Sequence, residues 1–220
     1  MPALVPAPVL APLPAVSAQA ERLIELGVDQ LAGVPAAELR AAARTDHDGA
    51  LLVVHPDRLP ASALADLVER EGKRAFVVTD LSDVDEFAPI ATVTLPAEPV
   101  YLLEGIDRGD HLSNRSPDEA LPALAEAGRT PLTLGEGLHW LVQQPQALER
   151  NHCFMTIGSR RTKPAGRLDA RTPALWISNG TGRDGRDRRN APKIGWCWAG
   201  NRHTWLGFAS ATTRTAGLAS

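Results

Sequence analysis

Apolar residues recur with helical spacing in five segments of the chain, and each segment carries a start or stop signal typical of a helix. The predicted helices cover residues 17–27, 35–44, 59–71, 117–127 and 134–143. Two of their starts are well defined, because Ser116 and Thr133 each stand three residues before a glutamate. In this spacing the hydroxyl and the carboxylate cap each other's backbone N–H, so we expect Glu136 to be a structural residue.

Short runs rich in apolar, β-branched and aromatic residues predict strands in the middle and at the end of the chain. These strands cover Ala50–Val54, Arg74–Thr79, Val100–Leu103, His152–Ser159, Pro173–Ser178, Lys193–Ala199 and Thr204–Ser210. The order of the elements predicts an α+β protein. In it, N-terminal helices and a mixed α/β layer pack against an antiparallel, tryptophan-rich C-terminal sheet.

Composition divides the chain into a tail, a domain and a loop. Residues 1–16 contain five prolines and no charged residue, which predicts an extended or disordered Pro/Ala-rich tail. We expect residues 17–215 to form a single α+β domain, with 150–212 as its β-rich C-terminal half. Within that half, the Gly/Arg-rich stretch 179–190 is too polar to pack and is predicted to be a mobile surface loop.

The segment over residues 193–208 has the most distinctive pattern. Strand alternation puts bulky side chains on one face of this strand and small side chains on the other. The bulky residues are Ile194, Trp196 and Trp198. The small residues are Gly195, Cys197 and Ala199. Gly200 and Asn201 then favour a tight reversal, because both accept a positive φ. The returning strand of this predicted hairpin brings His203 near Trp198 or Cys197, depending on the register.

The tryptophans and small residues of this half predict a ligand pocket over the sheet. Its predicted walls are Trp176, Trp196, Trp198 and Trp205, and its predicted polar groups are Arg160, Cys197, Asn201 and His203. A thiol beside an imidazole can be activated, so His203 is the candidate general acid or base and Cys197 the candidate nucleophile or a wall of the pocket. In the alternative interpretation, Cys197 is a small buried apolar residue and His203 a hydrogen-bonded hairpin residue.

A metal site and an anion clamp are two further interpretations. His152, Cys153, Cys197 and His203 are the ligand types that zinc prefers. The chain has no C-x-x-C or H-x-x-x-H spacing, so we predict no metal ligands and leave the cofactor open. The arginine pair that begins at Arg160 can clamp a carboxylate or phosphate, or can be a solvated loop end.

Overall composition excludes several functional classes. No apolar run approaches the roughly 20 residues that span a bilayer, so we expect no membrane protein. The net charge of −3 and the isoelectric point of about 6.1 remove a general electrostatic case for nucleic-acid binding. Two cysteines cannot form a disulfide scaffold, which favours a reducing, cytoplasmic location.

Several motifs of the chain resemble one family. The segments CFMTIGSRR, PALWIS and APKIGWCWAGNRHTWLG, preceded by SPDEALPALAEAGRTPLTLGEGL, are similar to an actinobacterial family catalogued only as a domain of unknown function. The likeness covers about residues 18–212. Two departures are Arg202, where the family usually has proline, and a longer and more basic stretch over 162–190. The resemblance implies a cytoplasmic bacterial protein without a known cofactor, and it transfers no reaction.

We therefore expect an enzyme or ligand-binding protein that acts on a small molecule, such as a tailoring enzyme of bacterial specialised metabolism. The alternative is a non-catalytic interaction protein whose tryptophans form a homodimer or partner interface. A third, purely structural interpretation assigns the four C-terminal indoles to the core. Nucleic-acid binding through the loop over 179–190 is the weakest interpretation, because Asp184 and Asp187 lie among its arginines.

Overall fold

The computed structural model describes residues 10–44, 47 and 49–217, so the first nine residues of the predicted tail lie outside the described part. The helices are α1 Val16–Glu25, α2 Val28–Ala32, α3 Ala36–Ala42, α4 Ala61–Ala65, α5 Pro117–Glu126 and α6 Leu134–Gln143. The strands are β1 Leu51–Val54, β2 Glu69–Arg70, β3 Lys73–Arg74, β4 Phe76–Val77, β5 Ala88–Pro89, β6 Val100–Glu104, β7 Thr130–Pro131, β8 Cys153–Met155, β9 Ser159–Arg160, β10 Arg171–Ile177, β11 Pro192–Trp198, β12 Leu206–Phe208, β13 Ser210–Ala211 and β14 Thr213–Ala216. These helices, together with several small sheets, confirm the predicted α+β class.

Two larger sheets form the framework of the fold. The first has the strand order β1-β6-β14 and is antiparallel. The second has the order β12-β8-β10-β11-β4, with antiparallel inner strands and an edge strand on each side that runs parallel to its neighbour. The C-terminal sheet is therefore mixed, and its strand β4 comes from the N-terminal half of the chain. Among the described residues no helix is long and apolar enough to cross a bilayer.

Helix α6 fills the space between the two larger sheets. On one side, Gly137 lies so close to the five-stranded sheet that a Cβ there would overlap the Thr156 methyl group and touch the Phe154 ring. On the other side, Nε2 of His139 accepts a hydrogen bond from the Val54 N–H of β1 at 3.1 Å. Nine of the ten residues of α6 are buried. This burial explains why the helix is apolar around most of its circumference.

Two helix starts follow the local sequence closely, one predicted helix is too long, and the short helix α2 was not predicted. The capping boxes at Ser116 and Thr133 are both formed, and α5 and α6 begin directly after them. The predicted helix over 59–71 is wrong beyond α4, because the chain turns into the hairpin β2–β3. At its tip, Glu71 and Gly72 have φ values of 52° and 72°. Both residues of a type I′ hairpin turn require this left-handed region, so Gly72 helps to form the turn instead of ending a helix.

The predicted hairpin after β11 is wrong in its pairing. A tight turn does form, since the Asn201 N–H donates to the Trp198 carbonyl oxygen at 3.0 Å. However, β12 pairs with β8 and places Leu206 opposite Cys153. The pairings make β11 and β12 run in the same direction, and strands in that relation need a crossover. Residues 199–205 form this connection, which we call the return connection.

The Gly/Arg-rich loop over 179–190 has local structure of its own. It contains the short 3₁₀ turns Gly182–Asp184 and Arg186–Arg188. The Asp184 carboxylate anchors the loop to the sheet, because it accepts hydrogen bonds from the Ser178 hydroxyl and the Lys193 ammonium, each at 2.8 Å. The mobility of this loop stays a prediction.

Candidate functional site

The strand register separates the C-terminal tryptophans into two pairs. In β10 and β11, Trp176 lies directly opposite Lys193. Directly opposed residues share a face of a sheet, so Trp176 lies on the same face as Lys193 and Cys197. Trp196 and Trp198 alternate with these residues along β11 and lie on the other face. The four predicted wall residues therefore do not line a single pocket.

Trp176 occupies the small face of β11. A Cβ at Gly195 would overlap the ring carbon Cη2 of Trp176, so the indole lies directly over the glycine. The Lys193 Nζ atom lies 5.1 Å from the centroid of the Trp176 ring, where a cation–π interaction is favourable. The space that the small residues were expected to leave beside Cys197 is therefore partly filled by an indole of the same sheet.

Replacing Gly195 by alanine is expected to displace the Trp176 indole, because the added carbon would occupy its position. Overpacking of this kind costs about 1–3 kcal/mol of unfolding free energy. Denaturant unfolding, followed by tryptophan fluorescence, measures this loss. The matched control is Gly200→Ala, since a Cβ at Gly200 would meet open space. Equal unfolding midpoints for the two variants would contradict the packing.

A cavity of about 430 Å³ opens beside Trp176, and we call it the indole cavity. It is lined by Arg150, Asn151, Cys153, Trp176, Ile177, Asn179 and Trp205. Trp205, at the end of the return connection, packs edge-on against Trp176 with 6.2 Å between ring centroids and an angle of 70° between ring planes. Of the eight predicted site residues, Trp176 and Trp205 are the two that line this cavity.

Sequence reasoning did not select the polar residues of the indole cavity, Arg150, Asn151 and Asn179. Glu149 and His152 exchange backbone hydrogen bonds at 3.1 and 3.0 Å, which leaves Arg150 and Asn151 at the tip of a tight turn. Asn151 has a φ of 66°, a conformation that asparagine adopts more readily than most residues. The sequence signal that indicates this turn is therefore an asparagine directly before a predicted strand.

Two asparagines fix the guanidinium of Arg150 at the rim of the indole cavity. Its Nη1 donates to Oδ1 of Asn179 at 3.1 Å, and its Nη2 donates to Oδ1 of Asn190. These partners stand at the two ends of the Gly/Arg-rich loop. Arg150 thus ties both ends of the loop to the cavity.

The thiol of Cys153 lies at the buried side of the indole cavity. Its side chain is almost fully enclosed, and Sγ donates to the Glu149 carbonyl oxygen at 3.2 Å. Burial raises the pKa of this thiol to about 11, so the thiol stays protonated at neutral pH. A protonated thiol is a poor nucleophile, and Cys153 therefore acts as an apolar wall with a weak donor.

Cys197 and His203 make no hydrogen bond to each other. Burial raises the pKa of Cys197 to about 11 and lowers the pKa of His203. An activated thiol–imidazole pair lowers the pKa of the thiol, which is the opposite of the direction found. The His203 ring packs edge-on against Trp205 at 5.5 Å between centroids. Its Nε2 atom is buried without a hydrogen-bond partner in the described part of the chain. The catalytic pair stays a hypothesis.

Arg160 and Asn201 are not among the residues that line the indole cavity. The half-buried Arg160 donates through Nε to the Asp169 carbonyl oxygen at 2.8 Å. Its neighbour Arg161 binds the Asp83 carboxylate at 2.7 Å. Acceptors of the protein itself therefore engage this arginine pair. Asn201 is exposed in the turn after β11.

Metal-ligand residue types do not gather in the described part of the chain. Within that part, no three His, Cys, Asp or Glu side chains are placed to hold a metal ion. The candidates from the sequence have separate surroundings, since Cys153 borders the indole cavity and Cys197 lies on β11.

A model of one protein family matches most of the chain. This family of unknown function, DUF5701, matches residues 22–217. The chain belongs to this family. No curated protein matches the chain, and no solved structure matches it. DUF5701 is a family of unknown function, so membership in it assigns no activity to the chain.

Proposed function

We propose that this DUF5701 protein binds a small planar molecule in the indole cavity. One observation carries the proposal: a cavity of about 430 Å³ lined by two indoles, Trp176 and Trp205, and by the polar side chains of Arg150, Asn151 and Asn179. Small-molecule sites commonly measure about 300–1,000 Å³ and combine aromatic walls with a few polar groups. The indole cavity has both properties.

Contacts within the protein position the aromatic walls independently of any ligand. Gly195 and Lys193 hold one ring of the pair, and His203 packs against the other. Aromatic rings in offset or edge-to-face contact gain about 0.5–1.5 kcal/mol beyond the area they bury. Fixed rings also reduce the entropy lost on binding, so a flat ring system is the ligand shape that these walls favour.

The protonation state of the two thiols favours non-covalent binding over covalent catalysis. Burial raises the pKa of both Cys153 and Cys197 to about 11, so neither is a thiolate at neutral pH. General acid–base catalysis by His203 remains a hypothesis within the proposal. The ring of His203 packs against Trp205, a wall of the indole cavity.

Replacing Trp176 by alanine is expected to weaken ligand binding at least tenfold, because it removes one of the two aromatic walls. A tenfold loss corresponds to about 1.4 kcal/mol, a modest effect for a central aromatic anchor. The measurement is a ligand-observed NMR screen of small aromatic compounds, followed by titration of the compounds that bind.

Trp196→Ala is the matched control, since Trp196 is half-buried on the neighbouring strand but on the opposite face. We expect it to leave the dissociation constants within about twofold. Circular dichroism checks that both variants fold. A screen without binders, or binders that lose equal affinity in both variants, would contradict the proposed function.

A non-catalytic interaction protein, with a homodimer as its simplest form, is the second candidate. Its supporting observation is that Trp198 is 48% exposed and packs edge-on against Trp196 at 4.5 Å between ring centroids. Exposed tryptophans are typical of interaction hot spots. This pair lies on the face of β11 opposite Trp176, so the two functions can coexist.

We further propose a cytoplasmic location, an actinobacterial origin and a role in specialised metabolism. Only Lys73, Lys163 and Lys193 of the 23 basic residues are lysine, a bias typical of GC-rich genomes. Both cysteines are free, as proteins of reducing compartments usually have them. The C-terminal motif that resembles an actinobacterial family also supports this origin.

A further inference from the structure

We propose that the molecule bound in the indole cavity is a planar organic acid, whose anionic group pairs with Arg150. This inference rests on the proposed function and adds the charge of the ligand to it. Four observations support it: the charges of the lining, the partners of Arg150, the unused donors of the indoles, and the neighbouring loop.

Among the residues that the structure describes, Arg150 is the one charged residue that lines the indole cavity. None of the described aspartates and glutamates lines it, and the Cys153 thiol is protonated at neutral pH. Arg150 forms no ion pair with any residue that the structure describes, whereas Arg161 and Arg171 bind carboxylates at 2.7 Å and 2.6 Å. The cavity therefore carries a positive charge that the described residues leave without a counter-ion.

Contacts with the two asparagines orient this charge without neutralising it. Both partners of the Arg150 guanidinium are neutral amide oxygens, those of Asn179 and Asn190. A guanidinium has five N–H donors, so donors remain for a ligand. Its planar, fixed donors match the two oxygens of a carboxylate, and such charge-assisted pairs are stronger than neutral hydrogen bonds.

The two indoles of the lining have N–H groups without a partner in the described part of the chain. An indole N–H donates and cannot accept, and those of Trp176 and Trp205 make no hydrogen bond to any described residue. By contrast, the indole N–H of Trp140 donates to Gln144 at 2.9 Å. The acceptor oxygens of an acid can pair with free N–H donors of this kind, whereas an ammonium group cannot.

The loop beside the cavity has the same sign of charge. Residues 179–190 contain four arginines and two aspartates, and Asp184 is already paired with Lys193 at 2.8 Å. Arg186 has no ion pair in the described part of the chain and is exposed. Positive charge close to a cavity raises the local concentration of anions.

The test compares three compounds with the same ring: indole-3-acetate, indole-3-acetamide and tryptamine, which are an anion, a neutral amide and a cation. Titration calorimetry with the full chain measures each dissociation constant. We expect the acid to bind at least tenfold more tightly than the amide, and the amine to bind least, because hydrogen bonds to charged groups exceed neutral ones.

Arg150→Gln is expected to reduce the preference for the acid over the amide by about tenfold, with little effect on amide binding. The control is Arg186→Gln, which removes the same charge from the exposed loop. It should keep the preference within about twofold, because Arg186 does not line the indole cavity and salt screens the long-range attraction of an exposed charge for the acid.

The outcomes separate this inference from the proposed function. If the amide or the amine binds as tightly as the acid, and Trp176→Ala abolishes that binding, the acid preference is overturned while the indole cavity remains the site. If Arg150→Gln and Arg186→Gln lower the preference equally, the assignment of Arg150 is overturned. If none of the three compounds binds at millimolar concentration, this inference and the proposed function both fail.

Discussion

Replacing Glu136 by alanine is expected to lower the free energy of unfolding by about 3–5 kcal/mol, the cost of leaving a buried charge without its partner. Glu136 is completely buried at the start of α6. Its carboxylate accepts hydrogen bonds from Nε and Nη2 of Arg214 at 2.6 and 2.8 Å. Without the carboxylate, the nearly buried guanidinium of Arg214 would face the interior uncompensated.

Two further donors make Glu136 a junction of the fold. The Tyr101 hydroxyl of β6 donates to its Oε1 at 3.0 Å, and the Thr133 N–H donates to its Oε2 at 2.7 Å. Burial, together with the neighbouring carboxylate, raises the pKa of Tyr101 well above its usual range. The hydroxyl is therefore a permanent donor at physiological pH, and the loss of Glu136 would leave it without this acceptor as well.

Urea unfolding of the wild type and of two variants measures the effect. The control is Glu21→Ala, because Glu21 pairs with Arg40 at 2.7 Å in a solvent-exposed position. Exposed ion pairs contribute little to stability, so we expect a much smaller change there. Glu136→Gln keeps the shape of the side chain but removes its charge. Its loss of unfolding free energy should fall between those of Glu136→Ala and Glu21→Ala. Equal losses for Glu136→Ala and Glu21→Ala would show that the buried pair is not a structural junction.

Lowering the pH from about 6.5 to 4 is expected to destabilise the protein through His139. Nε2 of His139 accepts from the Val54 N–H at 3.1 Å, and Nδ1 lies 2.9 Å from the Gly135 carbonyl oxygen. This arrangement suits a neutral ring with its proton on Nδ1. Burial lowers the pKa of His139 to about 4, against about 6.5 in an unfolded chain.

The sign follows from the protons bound in each state. Between pH 4 and 6.5 the unfolded chain holds a proton on this histidine that the folded chain does not, so stability rises with pH. The contribution of His139 to the free energy of unfolding is complete above pH 6.5 and is lost as the pH falls to 4. The difference between the folded and unfolded pKa values makes this contribution about 3 kcal/mol in total. The half-buried Asp83 and the buried Asp169 have lowered pKa values, and their contributions to stability are lost at lower pH still.

Unfolding free energies at several pH values between 4 and 7 measure this dependence. His139→Gln keeps polar groups at the position but cannot titrate, and it should flatten the profile. His111→Gln removes a histidine whose side chain is 60% exposed, and it should leave the wild-type slope intact. A wild-type profile already flat over this range would show that His139 is not held neutral by burial.

The sequence predicted those helix starts that are set by neighbouring residues. The capping boxes at Ser116 and Thr133 fix the starts of α5 and α6, and both are present. The sequence also indicated that Glu136 would cap its own helix. It could not indicate that the same carboxylate binds Arg214, because that partner lies 78 residues further along the chain.

The candidate site depended on contacts between distant segments, and there the prediction was partial. Alternation along β11 correctly separated Gly195 from Trp196, but only the pairing with β10 shows that Trp176 lies over the glycine. A turn forms at Asn201, but neither Gly200 nor Asn201 has the positive φ that the sequence suggested, and β12 joined β8 from about 50 residues earlier. That long-range pairing brings Trp205 beside Trp176.

The most direct test of the indole cavity uses the tryptophans themselves. The chain has five tryptophans, so a ¹⁵N-labelled sample gives five indole N–H signals, assigned by single substitutions. On titration with indole-3-acetate we expect the signals of Trp176 and Trp205 to move together. Those of Trp140, Trp196 and Trp198 should stay in place. Movement confined to Trp196 and Trp198, or no movement of any signal, would contradict ligand binding in the indole cavity.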